Sequence, residues 1–166
     1  MIGTDGKTIE NYTVITHSDA ETIALGKKLG ALLEDGDVVA LVGELGSGKT
    51  WFTKGVALGL GVSSKNIVTS PSFSLVNGYE GKIPFYHMDV YRLGSLSEFL
   101  SAGLEEFLHQ KGVVAMEWAD RFPEVLPEKR VMVELVILDD HRREISLSGQ
   151  DSRSKKIIKS IRKTIN

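Results

Sequence analysis

The chain has 166 residues, 42% hydrophobic and 25% charged, which suits one soluble globular domain with a real core. It contains no cysteine, so disulfides and thiolate chemistry are excluded. Net charge is −2, but residues 151–166 hold six basic side chains against the single acid Asp151, which leaves the rest of the chain at about −7.

The opening MIGTDGKTIENYT has neither a basic start nor an apolar run, so no signal peptide is expected. His17-Ser18-Asp19-Ala20-Glu21 opens a helix, with Ser18 as N-cap and Glu21 completing a capping box. Ile23, Leu29, Leu32 and Leu33 mark its apolar face, and Asp35-Gly36 ends it. Residues 38–42, VVALV, form a short apolar run that suits a strand buried on both faces. That run is far too short to cross a bilayer, and a cytoplasmic location is expected. A helix over 49–60 follows, ended by Gly59 and Gly61. Strands are expected over 73–76 and 83–91, joined by a turn at 78–81. Ser95 and Glu98 make a second capping box, starting short helices that reach His109. Residues 113–118 read as another buried strand. Residues 131–138 and 144–147 flank a hairpin turn at Asp139-Asp140-His141. Ile157, Ile158, Ile161 and Ile165 recur at helical spacing in the basic tail. That tail has two readings: a helix packed on the body with a solvated basic face, or a contact for RNA or an acidic partner. The alternation predicts an α/β fold, a mostly parallel central sheet flanked by helices with an antiparallel portion. Residues 1–150 form the domain, and 151–166 are its C-terminal helix or tail.

The strongest motif is GELGSGKT, residues 43–50, which fits G-x-x-x-x-G-K-[ST] between a buried strand and a helix. Glycines at 43, 46 and 48 let the backbone curl so that successive N–H groups face phosphate oxygens. The helix that follows adds partial positive charge at its N-terminus. Lys49 is positioned for the β- and γ-phosphates, and the Thr50 hydroxyl for Mg²⁺. The candidate nucleotide-binding residues here are Gly43, Glu44, Leu45, Gly46, Ser47, Gly48, Lys49, Thr50 and Trp51. The motif makes the fold a P-loop NTPase, with a nucleotide's phosphates and Mg²⁺ as the expected ligands. Such a loop needs an acid at the end of a neighbouring strand. Glu117 ends the apolar run VVAM, the usual Walker-B shape. Asp89 lies in YHMDVYRL, where period two puts Phe85, His87, Asp89 and Tyr91 on one face. Taken alone, Asp89 reads equally as a paired surface acid and His87 as a satisfied core histidine. TSPSFSL, residues 69–75, is placed like a switch loop over a γ-phosphate, and reads equally as a Pro-containing turn before a strand. LSGQ, residues 147–150, echoes an ABC-transporter signature but lacks a glycine and follows the acid it should precede, so it is assigned to a strand end.

GELGSGKT, TSPSFSL, HMDVYRL and MEW, in that order and at these distances, resemble the TsaE (YjeE) family. Thr22 and Gly26 fit the family's opening pattern. The resemblance runs to the final strand near Gly149, with the basic tail outside it. Departures are Glu44, Ser47 and Ser72, where the family often has Asp, Ala and Thr. None removes a needed group. The resemblance implies a small bacterial P-loop ATPase that hydrolyses Mg-ATP slowly. It implies a role in forming N6-threonylcarbamoyladenosine at position 37 of tRNA, with TsaD and TsaB homologues as protein partners. Contact with tRNA would be indirect, through that complex, and no membrane is involved. It makes Lys49, Asp89, Glu117 and Thr69 the catalytic candidates, and Thr50, Asp89 and Glu117 the metal candidates. Trp118 becomes a companion of Glu117, and Pro71 a switch-loop residue. It points to His17, Ser18, Thr22, Arg142 and Arg143 for the adenine end.

No N-K-x-D motif for a GTPase is present, and no Arg-rich lid for a small-molecule kinase. A kinase and a non-catalytic nucleotide-binding module are the alternative classes. Arg92 and Arg121 are the candidates for a stabilising charge, with surface pairing as the plainer role for each. Lacking a fixed arginine finger, turnover is expected to be slow without partners.

Overall fold

The computed structural model describes residues 7–71 and 74–165. The strands are β1 (Glu10–Thr16), β2 (Val38–Gly43), β3 (Val76–Tyr79), β4 (Phe85–Asp89), β5 (Val113–Glu117), β6 (Val131–Ile137) and β7 (Arg143–Gly149). The helices are α1 (Asp19–Gly30), α2 (Lys49–Gly59), α3 (Leu96–Ser101) and α4 (Ser152–Ile165). Short 3₁₀ turns cover Leu104–His109, Ala119–Arg121 and Pro123–Val125. All seven strands form one sheet in the order β1-β7-β6-β2-β5-β4-β3. The four central strands run parallel. Both edges are antiparallel, with β1 on β7, β7 on β6, and β3 on β4. The expectation of a mostly parallel sheet thus holds for the centre only. Short turns join β3 to β4 and β6 to β7, and a short turn can only return a strand antiparallel to its neighbour.

One face of the sheet carries α1, α2 and α4 around Leu29, Phe52, Val56, Val133, Leu147 and Ile158. The other carries α3 and the 3₁₀ turns around Met88, Phe99, Leu104, Met116 and Phe122. Apolar burial on both faces explains why β2 and β5 read as unbroken hydrophobic runs. The basic tail is α4, and its Ile157, Ile158 and Ile161 are buried in the first cluster. Its charges largely engage the body: Arg162 reaches the Asn11 carbonyl (2.8 Å) and Lys155 the Thr8 hydroxyl (2.7 Å). Among the described residues no helix is long and apolar enough to cross a membrane.

Several boundaries differ from the sequence reading, each for a local reason. β1 precedes the first predicted element; it is an edge strand whose partner lies at the far end of the chain. α1 stops at Gly30 rather than at Asp35-Gly36, and the chain turns there before β2. The predicted strand over 73–76 starts at a residue outside the described ones. β3 instead contains Gly78 and Tyr79, so the turn falls later than 78–81. β4 ends at Asp89, because the Asp89 carboxylate accepts from the Tyr91 N–H (2.9 Å) and turns the chain. Both N-caps are as expected, with Ser18 accepting from Glu21 N and Ser95 from Glu98 N. The reciprocal carboxylates reach one residue further back than a capping box does, Glu21 to His17 N (2.6 Å) and Glu98 to Gly94 N (2.8 Å).

The α1–α2 contact is made backbone to backbone. Gly26 and Gly30 on α1 face Phe52 and Val56 on α2, and Gly55 and Gly59 on α2 face Ile23 and Lys27 on α1. A Cβ at any of the four would lie closer than 3.0 Å to a carbonyl of the other helix. Gly59 is therefore a packing residue. The helix end belongs to Gly61, whose φ of +84° suits only glycine. This contact fixes α2, and so fixes the loop that feeds it.

Asp37, just before β2, is 3% exposed and accepts from Glu34 N (2.7 Å) and Arg153 Nη2 (2.9 Å). It ties α4 to the sheet. Removing one member of a buried ion pair leaves the other uncompensated, so Asp37→Ala should lower stability by about 3 kcal/mol. Urea unfolding checks this; a loss under about 1 kcal/mol would mean that the pair behaves as a surface contact.

Candidate functional site

The site forms at the carboxyl ends of β2, β4 and β5, where parallel α/β sheets place their ligands. The loop after β2 turns at Gly46 (φ +80°) and Gly48 (φ +99°), left-handed positions that favour glycine. Gly43 is different. It is glycine because a Cβ there would strike the Ser47 hydroxyl and the Leu135 carbonyl, 2.5 and 2.7 Å away. Gly48 caps α2 without a side-chain hydrogen bond, so the first N–H groups of that helix have no side-chain partner at the cap.

Lys49 is 5% exposed, and its ammonium donates to the Gly43 carbonyl (2.6 Å) and the Glu44 carbonyl (2.9 Å). It also sits 4.0 Å from the centroid of the Trp118 ring. Burial lowers its pKa from the ordinary lysine value, and the carboxylates of Glu117, Asp89 and Asp120 oppose that. Trp118 has φ 61° and ψ 35°, an outlier for a bulky residue, and its ring also packs on Tyr91 at 4.7 Å. Such strain persists only where the surroundings hold it, here with the ring between a lysine and a tyrosine.

Glu117, 2% exposed, is the centre of the cluster. The Thr50 hydroxyl donates to its Oε1 (3.0 Å), the Ser70 hydroxyl to its Oε2 (3.4 Å), and His87 Nε2 pairs closely with the same Oε2. The Ser70 and Thr50 hydroxyls are 2.8 Å apart. Asp89 is the register partner of Glu117 on β4, so the two acids stand side by side. Burial raises the Asp89 carboxyl pKa; the Tyr91 N–H opposes this, and the charge of Glu117 adds to it. Thr69 is exposed on the same segment and lines the cavity, with Ser70 the hydroxyl that reaches inward. The sequence reading passed over Ser70, although TSP offered two adjacent hydroxyls.

A cavity of about 650 Å³ opens between the loop, the 67–71 segment and the 89–92 turn. Lys49, Thr50, Trp51, Asp89, Glu117 and Trp118 line it, and Arg92 is its one arginine among the described residues. Arg121 is committed to the Leu93 carbonyl (2.7 Å).

A family described as "Threonylcarbamoyl adenosine biosynthesis protein TsaE" has a model that matches residues 16–145. The chain belongs to the TsaE family. Similar TsaE-family relatives, each named tRNA threonylcarbamoyladenosine biosynthesis protein TsaE, come from Treponema pallidum (strain Nichols) and Bacillus subtilis (strain 168). The first is 44% identical over 134 residues, covering 81% of this chain and 98% of the relative. The second is 43% identical over 139 residues, covering 83% and 85%. The crystal structure of Bacillus subtilis YdiB superposes with a TM-score of 0.82 at 35% identity, covering 96% of this chain and 99% of that one. That match leaves fewer residues outside than the basic tail contains, so the TsaE-like architecture includes part of the tail, further than the sequence motifs reached.

In this TsaE-family chain none of the residues singled out for the adenine end lines the cavity that holds the acids. Arg143 Nη2 donates to the Gly46 carbonyl (3.2 Å), tying the β6–β7 hairpin to the loop. Arg142 pairs with Asp139 (2.7 Å), and with His17 and His141 it lines a shallow depression. The Ser18 hydroxyl is engaged as the α1 cap, and Thr22 is buried against the Thr16 hydroxyl (2.8 Å) beneath Gly48. Among the described residues no three His, Asp or Glu side chains gather as a metal cage. The donor set at Thr50, Glu117 and Asp89 is a hydroxyl and two carboxylates. That hard-oxygen set fits Mg²⁺, which is commonly held by one or two carboxylates together with phosphate oxygens.

Proposed function

We propose that this chain is an ATPase that binds Mg-ATP over the 43–50 loop and hydrolyses it slowly. In this reading it supports formation of N6-threonylcarbamoyladenosine at position 37 of tRNA with TsaB and TsaD homologues. Family membership supports the tRNA role. The observation that carries the ATPase reading is the convergence of Lys49, Thr50, Ser70 and Glu117 at the mouth of a glycine-turned loop. The loop amides and Lys49 would neutralise phosphate charge, and the Lys49 ammonium would exchange its carbonyl partners for phosphate oxygens. Thr50 would hold Mg²⁺, with Glu117 and Asp89 as its carboxylates. Held there, Mg²⁺ would supply positive charge against the charge that develops on the phosphates. Glu117 would order the attacking water. Arg92 is the cavity's one arginine among the described residues, and further charge brought by partners would contribute up to about 10³–10⁵ in rate, so turnover alone would be slow. On this reading, a chain that supports tRNA modification would act in the cytoplasm.

The test is ATP hydrolysis by the purified chain, alone and with a TsaB–TsaD pair. Slow turnover stimulated by the pair is expected. A charge-assisted contact contributes about 1.5–3 kcal/mol, so Lys49→Ala should weaken ATP binding by roughly 10- to 100-fold, read by calorimetry. Phosphate transfer to a small acceptor would favour a kinase. Binding with no turnover even beside the partners would favour a non-catalytic module.

A further inference from the structure

We infer that His87 is a positioning residue whose ring fixes the orientation of the Glu117 carboxylate; the inference rests on the ATPase reading. His87 is fully buried, with no solvent-exposed area at its ring. It follows Phe85 on one face of β4 and pairs in register with Ala115 of β5, where the apolar core formed with Val113 gives way to the acids Asp89 and Glu117. A polar ring there is costly unless it is hydrogen-bonded, and a leucine or phenylalanine would fill the same space without that cost. Among the described residues its single hydrogen-bond partner is Glu117: Nε2 pairs with Oε2, while the buried Nδ1 has none. An orphaned N–H is rarer in proteins than an orphaned acceptor, so the pattern assigns the proton to Nε2, and the ring donates to the carboxylate.

Glu117 is thereby held from three elements. Thr50 at the start of α2 takes Oε1, while Ser70 from the 67–71 segment and His87 from β4 take Oε2. Thr50 and Ser70 stand on the cavity side and line it. His87 does not line the cavity, so it is the one holder a bound ligand does not touch. It keeps the carboxylate plane fixed while the cavity side changes partners. A misplacement of about 1 Å at a reacting centre costs on the order of 10²-fold in rate, which is the scale of effect that losing the ring should have.

The experiment is a cycle of His87→Leu, Glu117→Gln and the double variant, with His87→Gln as the conservative replacement. Turnover, KM for ATP and binding of a non-hydrolysable ATP analogue with Mg²⁺ are measured for each. His87→Leu should lower kcat by about 10²-fold with KM and analogue binding within about threefold. His87→Gln, which can again offer an N–H to Oε2, should recover most of the loss. The double variant should be no slower than Glu117→Gln alone, because a residue acting through another adds nothing once that other is gone. Wild-type turnover in His87→Leu, or multiplicative losses in the double variant, would overturn the inference and leave the ATPase reading standing. Loss of analogue binding in His87→Leu would reduce the ring to a structural part and overturn it as well. No turnover in the wild-type chain, alone or with partners, would remove the ATPase reading, and this inference with it.

Discussion

Glu117→Gln should lower ATP hydrolysis on the order of 10³-fold while ATP binding stays within about tenfold, because an acid that orders or deprotonates water contributes typically 10²–10⁴. The substitution keeps the size of the side chain and an oxygen for Thr50, so the loop and Lys49 are left as they are. On the proposed reading it removes the anion that would face the attacking water. Binding would then rest on the loop amides, Lys49 and Thr50, and hydrolysis on Glu117, so the two readouts should separate. Asp89→Ala, measured beside it, apportions the roles of the paired acids. Turnover within tenfold of wild type for Glu117→Gln, with a large loss for Asp89→Ala, would move the water-ordering role to β4.

Gly55→Ala should destabilise the protein by about 4 kcal/mol, among the larger effects a single methyl group can have. Helix propensity alone predicts the opposite sign, since alanine in place of a helical glycine gains about 1 kcal/mol. Packing decides the outcome. The new Cβ would collide with the Ile23 carbonyl and crowd the Lys27 amide at 2.9 Å, and both are backbone atoms of α1 that cannot step aside. Overpacking costs typically about 1–3 kcal/mol even where side chains can give, and here the helices themselves must part. Gly94→Ala is the control, since its Cβ would meet the Glu98 carboxylate at an ordinary 3.6 Å. Urea unfolding of the three proteins settles it. A Gly55→Ala midpoint at or above wild type would mean that the helix pair can open without cost.

The loop and Glu117 were legible in the sequence because each is local: a glycine spacing between a strand and a helix, and an acid directly after an apolar run. The central strands were legible for the same reason, being continuous hydrophobic segments. What stayed hidden depends on distant partners. Ser70 meets Glu117 across 47 residues and His87 meets it across 30, so neither contact leaves a local trace. His87 read equally as a core histidine, and it is one, but a core histidine bonded to an acid of the site. β1 alternates only weakly and owes its place to β7. Gly26, Gly30, Gly55 and Gly59 carried a usable signal in their matched i,i+4 spacing. A glycine reads as a breaker until the facing helix is known, and on that ground the sequence presents Gly59 as a terminator. The adenine-end residues came from family resemblance alone, and the structure gives Ser18 the cap of α1 and Thr22 a buried place under Gly48.

The edge position of β1 bears on how the chain is made. Glu10 pairs with Gly149 and Thr16 with Arg143, and Arg162 of α4 then closes over the Asn11 carbonyl. As the chain leaves the ribosome N-terminus first, β1 emerges long before its partner strand. Contacts this far apart in sequence are slow to form, because the loop they close must first be ordered. An unpaired strand offers its open backbone to any neighbouring chain in the meantime. The polar residues Glu10, Asn11, Thr13 and Thr16, which leave β1 without a continuous apolar run and so hard to recognise, also lessen the pull of that waiting strand on other chains until β7 arrives.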